Sequence, residues 1–213
     1  MQAERHIVTP DPSSLAGSRT RSAAGRVSDD VLLDAARTCV LASGVRRTTL
    51  AEIARTARVS RMTLYRRFPD VRSILAALMT REFGALLRRV NEQADTARDA
   101  RERLTGSAVA AVRALVADPL MRTVLDIDAD MVLPYVTRRL GATQLFAEEV
   151  IGSLVAAGHQ DGSIRRGNAA AQVRSVLLVV QSFVLSLRPA TADVSEDALL
   201  TELRHLLDAA LAP

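Results

Sequence analysis

The stretch VSRMTLYRRF, residues 59–68, places three arginines (Arg61, Arg66, Arg67), three hydroxyls (Ser60, Thr63, Tyr65) and Met62 within roughly two to three helical turns. Guanidinium groups fork onto phosphate or onto the acceptor edge of guanine. Hydroxyls add hydrogen bonds, and a thioether can touch a thymine methyl. The chemistry is that of binding a polyanion, not of making or breaking bonds. Catalytic patterns are missing elsewhere: no Ser/His/Asp, Cys/His, glycine-rich phosphate loop or paired-carboxylate arrangement stands at useful spacing. An enzyme is not expected. Neither is a cofactor or a metal. His6, His159 and His205 are far apart in sequence. The acids of LDIDAD, residues 125–130, alternate like a calcium loop but lack its glycine and final glutamate. The single cysteine, Cys39, lies on an apolar helix face and reads as a small core residue.

Local elements must hold such a cluster in place. Ser60 can cap a short helix over 61–68. At 100° per residue, Leu64 and Phe68 stack on one side with Val59 nearby, and Met62, Thr63 and Arg66 face the other way. Arg61 and Tyr65 flank one edge of that face, Arg67 the other. Ahead of it, TLAE (Thr49 to Glu52) fits a capping box. Leu50, Ile53, Ala54 and Ala57 then repeat the i, i+3, i+4, i+7 spacing of a helix over 49–57. A three-residue turn joins the two. Two short helices so joined, the second basic and exposed, make a helix-turn-helix, whose second helix enters the DNA major groove. An earlier helix starts after Ser28 with Asp29 and Asp30 in its first turn, where acids suit the dipole. It carries Leu32, Ala35, Ala36, Cys39 and Val40 on one face and ends at Gly44.

Charge is divided along the 213 residues in the same sense. Residues 1–72 hold 13 arginines against 7 acids, a balance of +6; residues 73–213 hold 15 against 17, a balance of −2. The polyanion partner therefore belongs to the N-terminal third. Three segments follow: a disordered basic arm over 1–26, a DNA-binding domain over 27–72, and a helical domain over 73–213. One cysteine permits no disulfide within a chain and fits a reducing cytoplasm. The N-terminus has no apolar core of a secretory signal. The longest apolar run, Val176 to Leu187, is short of the roughly 20 residues of a membrane span, so no membrane partner is expected.

Beyond residue 70 the period is helical throughout. Helices are expected over about 71–93, 98–117, 120–126, 131–138, 142–159, 168–187 and 195–211. No segment alternates with period 2. The fold class is all-α: a three-helix DNA-binding domain followed by a helical ligand-binding and dimerisation domain.

The stretch TTLAEIARTARVSRMTLYRRFPD resembles the helix-turn-helix of the TetR family (TetR/AcrR type) of bacterial transcriptional regulators. The resemblance rests on Thr48-Thr49, Ile53-Ala54, Val59-Ser60, Thr63-Leu64-Tyr65 and Phe68. It implies that Thr48, Thr49, Tyr65 and Arg67 reach backbone phosphate, that Arg61, Met62 and Thr63 lie nearest the bases with Arg66 beside them, and that Ser60 belongs to the same DNA-binding set. Three positions depart from the pattern. Arg58 stands where the turn glycine is usual, Ala51 where helix 2 is commonly basic, and Val71 where a lysine commonly opens the fourth helix. Arg19, Arg21 and Arg26 of the arm could compensate in the minor groove.

The same resemblance implies a homodimer on palindromic double-stranded operator DNA, joined through the last two helices. Val173, Val176, Leu177, Val180, Val184, Leu199, Leu203, Leu206 and Leu207 are the candidate interface, and core packing is the alternative for each. The middle helices would enclose an effector pocket lined by Phe83, Leu87, Val112, Met121, Leu125, Met131, Tyr135, Phe146, Val150 and Phe183. That set carries no charge and includes adaptable methionines, which points to a small apolar effector, lipid-like or a hydrophobic drug. The expected function is a repressor released from its operator by that effector, with the helix from Val71 as the lever. The alternatives are an activator without effector-driven release and a helical interaction protein.

Overall fold

The structure is a computed structural model that describes residues 28–93, 97–127, 138 and 140–213. Among these residues the chain is helical with no strand. The helices are α1 (Asp29–Ser43), α2 (Leu50–Thr56), α3 (Arg61–Arg67), α4 (Val71–Gln93), α5 (Ala100–Ala117), α6 (Pro119–Ile127), α7 (Ala142–Asp161), α8 (Ala169–Ala190) and α9 (Glu196–Leu211). The expected helix over 131–138, with Met131 and Tyr135, lies outside the described residues, as does the arm.

Side-chain caps set most of the starts. Thr49 Oγ1 accepts from Glu52 N, Ser60 Oγ from Thr63 N, Asp99 from Glu102 N, Asn168 from Ala171 N and Ser195 from Ala198 N. Each satisfies one of the donors that a helix start leaves without a partner. Ser28 makes no such bond. The acids after it serve other helices: Asp29 pairs with Arg67 of α3, and Asp30 with Arg81 of α4. Three ends differ from the sequence expectation by two residues or more. The α7 helix runs on to Asp161 where an end at 159 was expected. The α5 helix begins at Ala100, because Asp99 is the cap. The α8 helix continues through Pro189 to Ala190. Proline lacks an N–H and crowds the preceding turn, but here only one further residue follows it in the helix.

The helices pack in two connected layers of contact. In the first, α1 packs on α2 and α4, and α2 on α3. Leu32, Ala36, Val40, Ile53, Leu64, Ile74 and Leu78 are sealed between them. Cys39 is buried there, with Sγ 3.4 Å from Thr56 Oγ1. In the second, α5 is the central rod, touching α4, α6, α7, α8 and α9. Leu104, Val112 and Leu120 are fully buried around it.

Three features join the layers. The α4 helix belongs to both. Arg81 of α4 pairs with Asp30 and Asp34 of α1 and with its neighbour Glu82, which also pairs with Arg37. The α6 helix packs on α1 as well as α5, and its Asp126 pairs with Arg188 of α8.

Candidate nucleic-acid interface

The turn between α2 and α3 is tight. Val59 N donates to Ala54 O at 3.0 Å, and Arg58 has φ of 56°. That left-handed conformation is the one glycine adopts without strain. The turn therefore forms without glycine by placing Arg58 in the unfavourable region. Ser60 then fixes the first turn of α3 twice over, accepting from Thr63 N at 3.1 Å and sharing a hydrogen bond with Thr63 Oγ1 at 2.8 Å. Leu64 is fully buried and Phe68 half-buried, so α3 is pinned along one side as its spacing requires.

The opposite side is open. Met62 is 76% exposed and Tyr65 47%. Arg61 and Arg66 are exposed, and neither has an ion-pair partner among the described residues. An open groove of about 610 Å³ runs between α2 and α3, lined by Thr49, Ala51, Glu52, Arg55 and Arg61 among others. A methionine that exposed, beside unpaired guanidinium groups, has no packing role. Such a face can donate to acceptor atoms and touch apolar edges.

Two of the expected phosphate contacts are placed differently. Thr48 is 4% exposed and its hydroxyl donates to Gly44 O at 2.8 Å, so it closes the loop between α1 and α2 and is absent from the surface. Thr49, the next residue, is exposed. Arg67 is exposed but held by Asp29: its Nε and Nη2 both donate to Asp29 Oδ1, at 2.8 and 2.5 Å. Sequence reading saw Asp29 only as an acid at a helix start. Its partner lies 38 positions away, beyond the reach of periodicity.

Of the candidate effector residues, Phe83 and Val112 are buried in the core. Leu87, Met121, Leu125, Phe146, Val150 and Phe183 are partly buried. Polar groups lie beside them that composition did not suggest. The Arg88 guanidinium sits 5.7 Å from the Phe146 ring centroid, and Gln144 of α7 bonds Gln181 of α8.

Of the candidate interface residues, Val176, Leu177, Val184, Leu203 and Leu207 are already buried within one chain and keep almost no surface for a mate. They support the outer face from behind. Val173, Val180 and Leu199 are half-buried, and Leu206 is exposed. Leu178, which was not among the candidates, is 61% exposed. Within so apolar a helix, periodicity cannot choose between it and Leu177. The α8 helix is long and apolar enough to cross a membrane by composition alone, with a mean hydropathy of 1.6 over its most apolar window, of which 28% is buried. Its exposed positions include Ala171, Arg174, Ser175, Leu178, Ser182 and Ser186. Hydroxyls and a cation on that face suit a protein surface better than lipid.

Comparison with known proteins bears on the first layer and on the whole fold. Residues 32–78, from α1 into α4, match the model of the tetR family of bacterial regulatory proteins. An HTH-type transcriptional regulator of Mycobacterium bovis, Mb2274c, is 39% identical over 177 residues, 83% of this chain and 90% of that protein. The Mycobacterium tuberculosis regulator Rv2250c is 38% identical over the same lengths. Among solved structures, the transcriptional regulator FadR of Bacillus subtilis, in complex with stearoyl-CoA, superposes with a TM-score of 0.64 at 17% identity, covering 86% of this chain and all of that one. A regulator from Saccharomonospora viridis in complex with choline gives 0.62 at 18%, covering 87% and 97%. At those identities the structures speak for the fold, while the mycobacterial relatives and the matched helices speak for kinship. The helix-turn-helix of α2 and α3 lies within the matched residues, and this chain belongs to the TetR family of bacterial transcriptional regulators.

Proposed function

We propose that the protein is a cytoplasmic, homodimeric repressor that binds a palindromic operator through two copies of α3 and leaves it when a small apolar effector binds among α4–α8. The observation that carries this reading is the open face of α3: Arg61, Met62, Tyr65 and Arg66 are exposed and unpartnered on a helix pinned by Leu64. Arg61, Met62 and Thr63 would read bases; Thr49 and Tyr65 would hold phosphate. One such helix touches few base pairs. Pairing through the outer faces of α8 and α9 doubles the site, with half-sites about one helical turn apart.

Leu87, Phe146, Val150 and Phe183 are apolar and only partly buried on α4, α7 and α8, which supports an apolar ligand. The stearoyl-CoA complex of the Bacillus subtilis neighbour favours an acyl chain. An effector that prefers one arrangement of α4 shifts the population away from the DNA-binding one by its differential affinity.

The test begins with selection of bound duplexes from a random library. A two-fold symmetric sequence is expected, bound with an affinity that falls steeply with salt. Arg61→Ala should lower discrimination at one base position by about 1–3 kcal/mol, while Tyr65→Phe should weaken all sequences alike. Stearoyl-CoA, oleate and choline are then added in turn. Release by the acyl compounds supports the effector reading. Recovery of no symmetric sequence would sink the operator reading, and acyl binding without release would sink the repressor mechanism.

A further inference from the structure

Arg67 lies at the C-terminal end of the recognition helix, yet it differs from the other arginines there. Arg61 and Arg66 have no ion-pair partner among the described residues. Arg67 donates twice to one carboxylate oxygen of Asp29, the first residue of α1. Both side chains remain about half exposed, Arg67 at 43% and Asp29 at 50%. The pair is therefore on the surface and open to competition from solvent ions, not sealed in the core. Asp29 also stands in the first turn of α1 with Asp30.

We infer that Asp29 is an affinity-limiting residue of the DNA-binding surface, competing with a backbone phosphate of the operator for Arg67. The inference rests on the operator-binding reading above. A carboxylate and a phosphate offer the guanidinium fork the same acceptor geometry. In free protein the carboxylate occupies it. When a duplex approaches α3, either Arg67 stays on Asp29 and the phosphate contact is not made, or Arg67 moves and leaves an unpaired carboxylate facing the DNA. Both outcomes reduce affinity relative to a chain without that acid. An exposed ion pair is weak enough to exchange, so the contest is close. Asp29 thereby sets how many phosphates the surface neutralises and how strongly binding responds to salt.

The test uses the full-length chain and the duplex recovered by selection, with a random-sequence duplex beside it. Binding is measured as a function of salt for wild type, Asp29→Asn, Arg67→Ala and the double variant. Wild-type binding of the selected duplex establishes the operator reading independently; its failure is separable from failure of this inference. Asp29→Asn is expected to bind both duplexes roughly fivefold more tightly, the most an exposed pair can give. Its plot of log affinity against log salt should be steeper by about 1, one added phosphate contact. In the Arg67→Ala background the substitution should lose that gain. Unchanged or weaker binding by Asp29→Asn overturns the inference. So does a gain that persists without Arg67, which would make Asp29 a source of repulsion only. Thermal unfolding of each variant, with Asp29→Ser as a second replacement, separates a folding defect from a binding effect.

Discussion

Arg58 is the residue where local conformation and composition conflict. At φ of 56° it occupies the left-handed region at the turn that aims α3. The strain of a side chain there is about 1–2 kcal/mol, partly offset because glycine in its place has more freedom to lose. Arg58→Gly should therefore raise stability by about 0.5–1 kcal/mol, read from urea unfolding midpoints; a loss would mean that the arginine side chain holds the turn by contacts of its own. The resemblance to the family already marked this position, because a glycine is usual there. It could not separate Thr48 from Thr49. The capping box singled out Thr49 as the α2 cap, but both were expected at phosphate, and only the fold of the 44–48 loop shows that the Thr48 hydroxyl is enclosed. Nor could it tell that Arg67 differs from Arg66, since Asp29 comes near only when α1 packs against the motif.

At the scale of elements, the link from α7 to α8 is built by close approach. A Cβ on Gly158 would stand 2.4 Å from Ile164 Cγ1, and Ile164 is buried with its N–H bonded to Gly158 O. Gly158→Ala should lower stability by about 1–3 kcal/mol, a fall of several degrees in Tm by calorimetry. From the same link Asp161 reaches the start of α5. It accepts from Ala100 N at 3.1 Å and Ser163 N at 2.8 Å. The Ser163 hydroxyl first, then the Ser163 and Ala100 N–H groups, hold its carboxyl below the ordinary aspartate value. A lowered folded-state value means that this stabilisation is present above the ordinary aspartate range and is lost as pH falls through the folded value. Asp161→Asn should therefore flatten the acid side of the Tm-against-pH curve; an unaltered acid limb would show the cap to be idle. Helix existence was plain in the sequence because the apolar period is strong. These joins were not, because a glycine inside a helix and a polar loop carry no mark of what they touch.

For the molecule as a whole, the exposed leucines Leu178 of α8 and Leu206 of α9 predict the subunit contact. Leu178→Glu and Leu206→Glu should each yield a folded monomer by light scattering, with loss of tight binding to a palindromic duplex but not of weak binding to a half-site. A dimer that survives both changes would place the contact elsewhere. All-helical architecture and the basic N-terminal third were legible from period and charge. The burial of Leu203 and Leu207 within one chain was not, because an apolar stripe looks the same whether it meets its own core or another subunit.

The placement of α6 has one consequence for how the regulator would respond to dose. The α1–α3 head is braced at two separate points, by α4 through Arg81 and by α6 against α1, with α6 itself moored to α8 by Asp126 and Arg188. A body hinged at one point tilts by any amount. A body braced at two changes only when both struts rearrange, so its positions are few and discrete. Partial effector occupancy should then give a mixture of bound and released molecules, visible as two populations in a single-molecule distance measurement, and not a continuum of half-tilted heads.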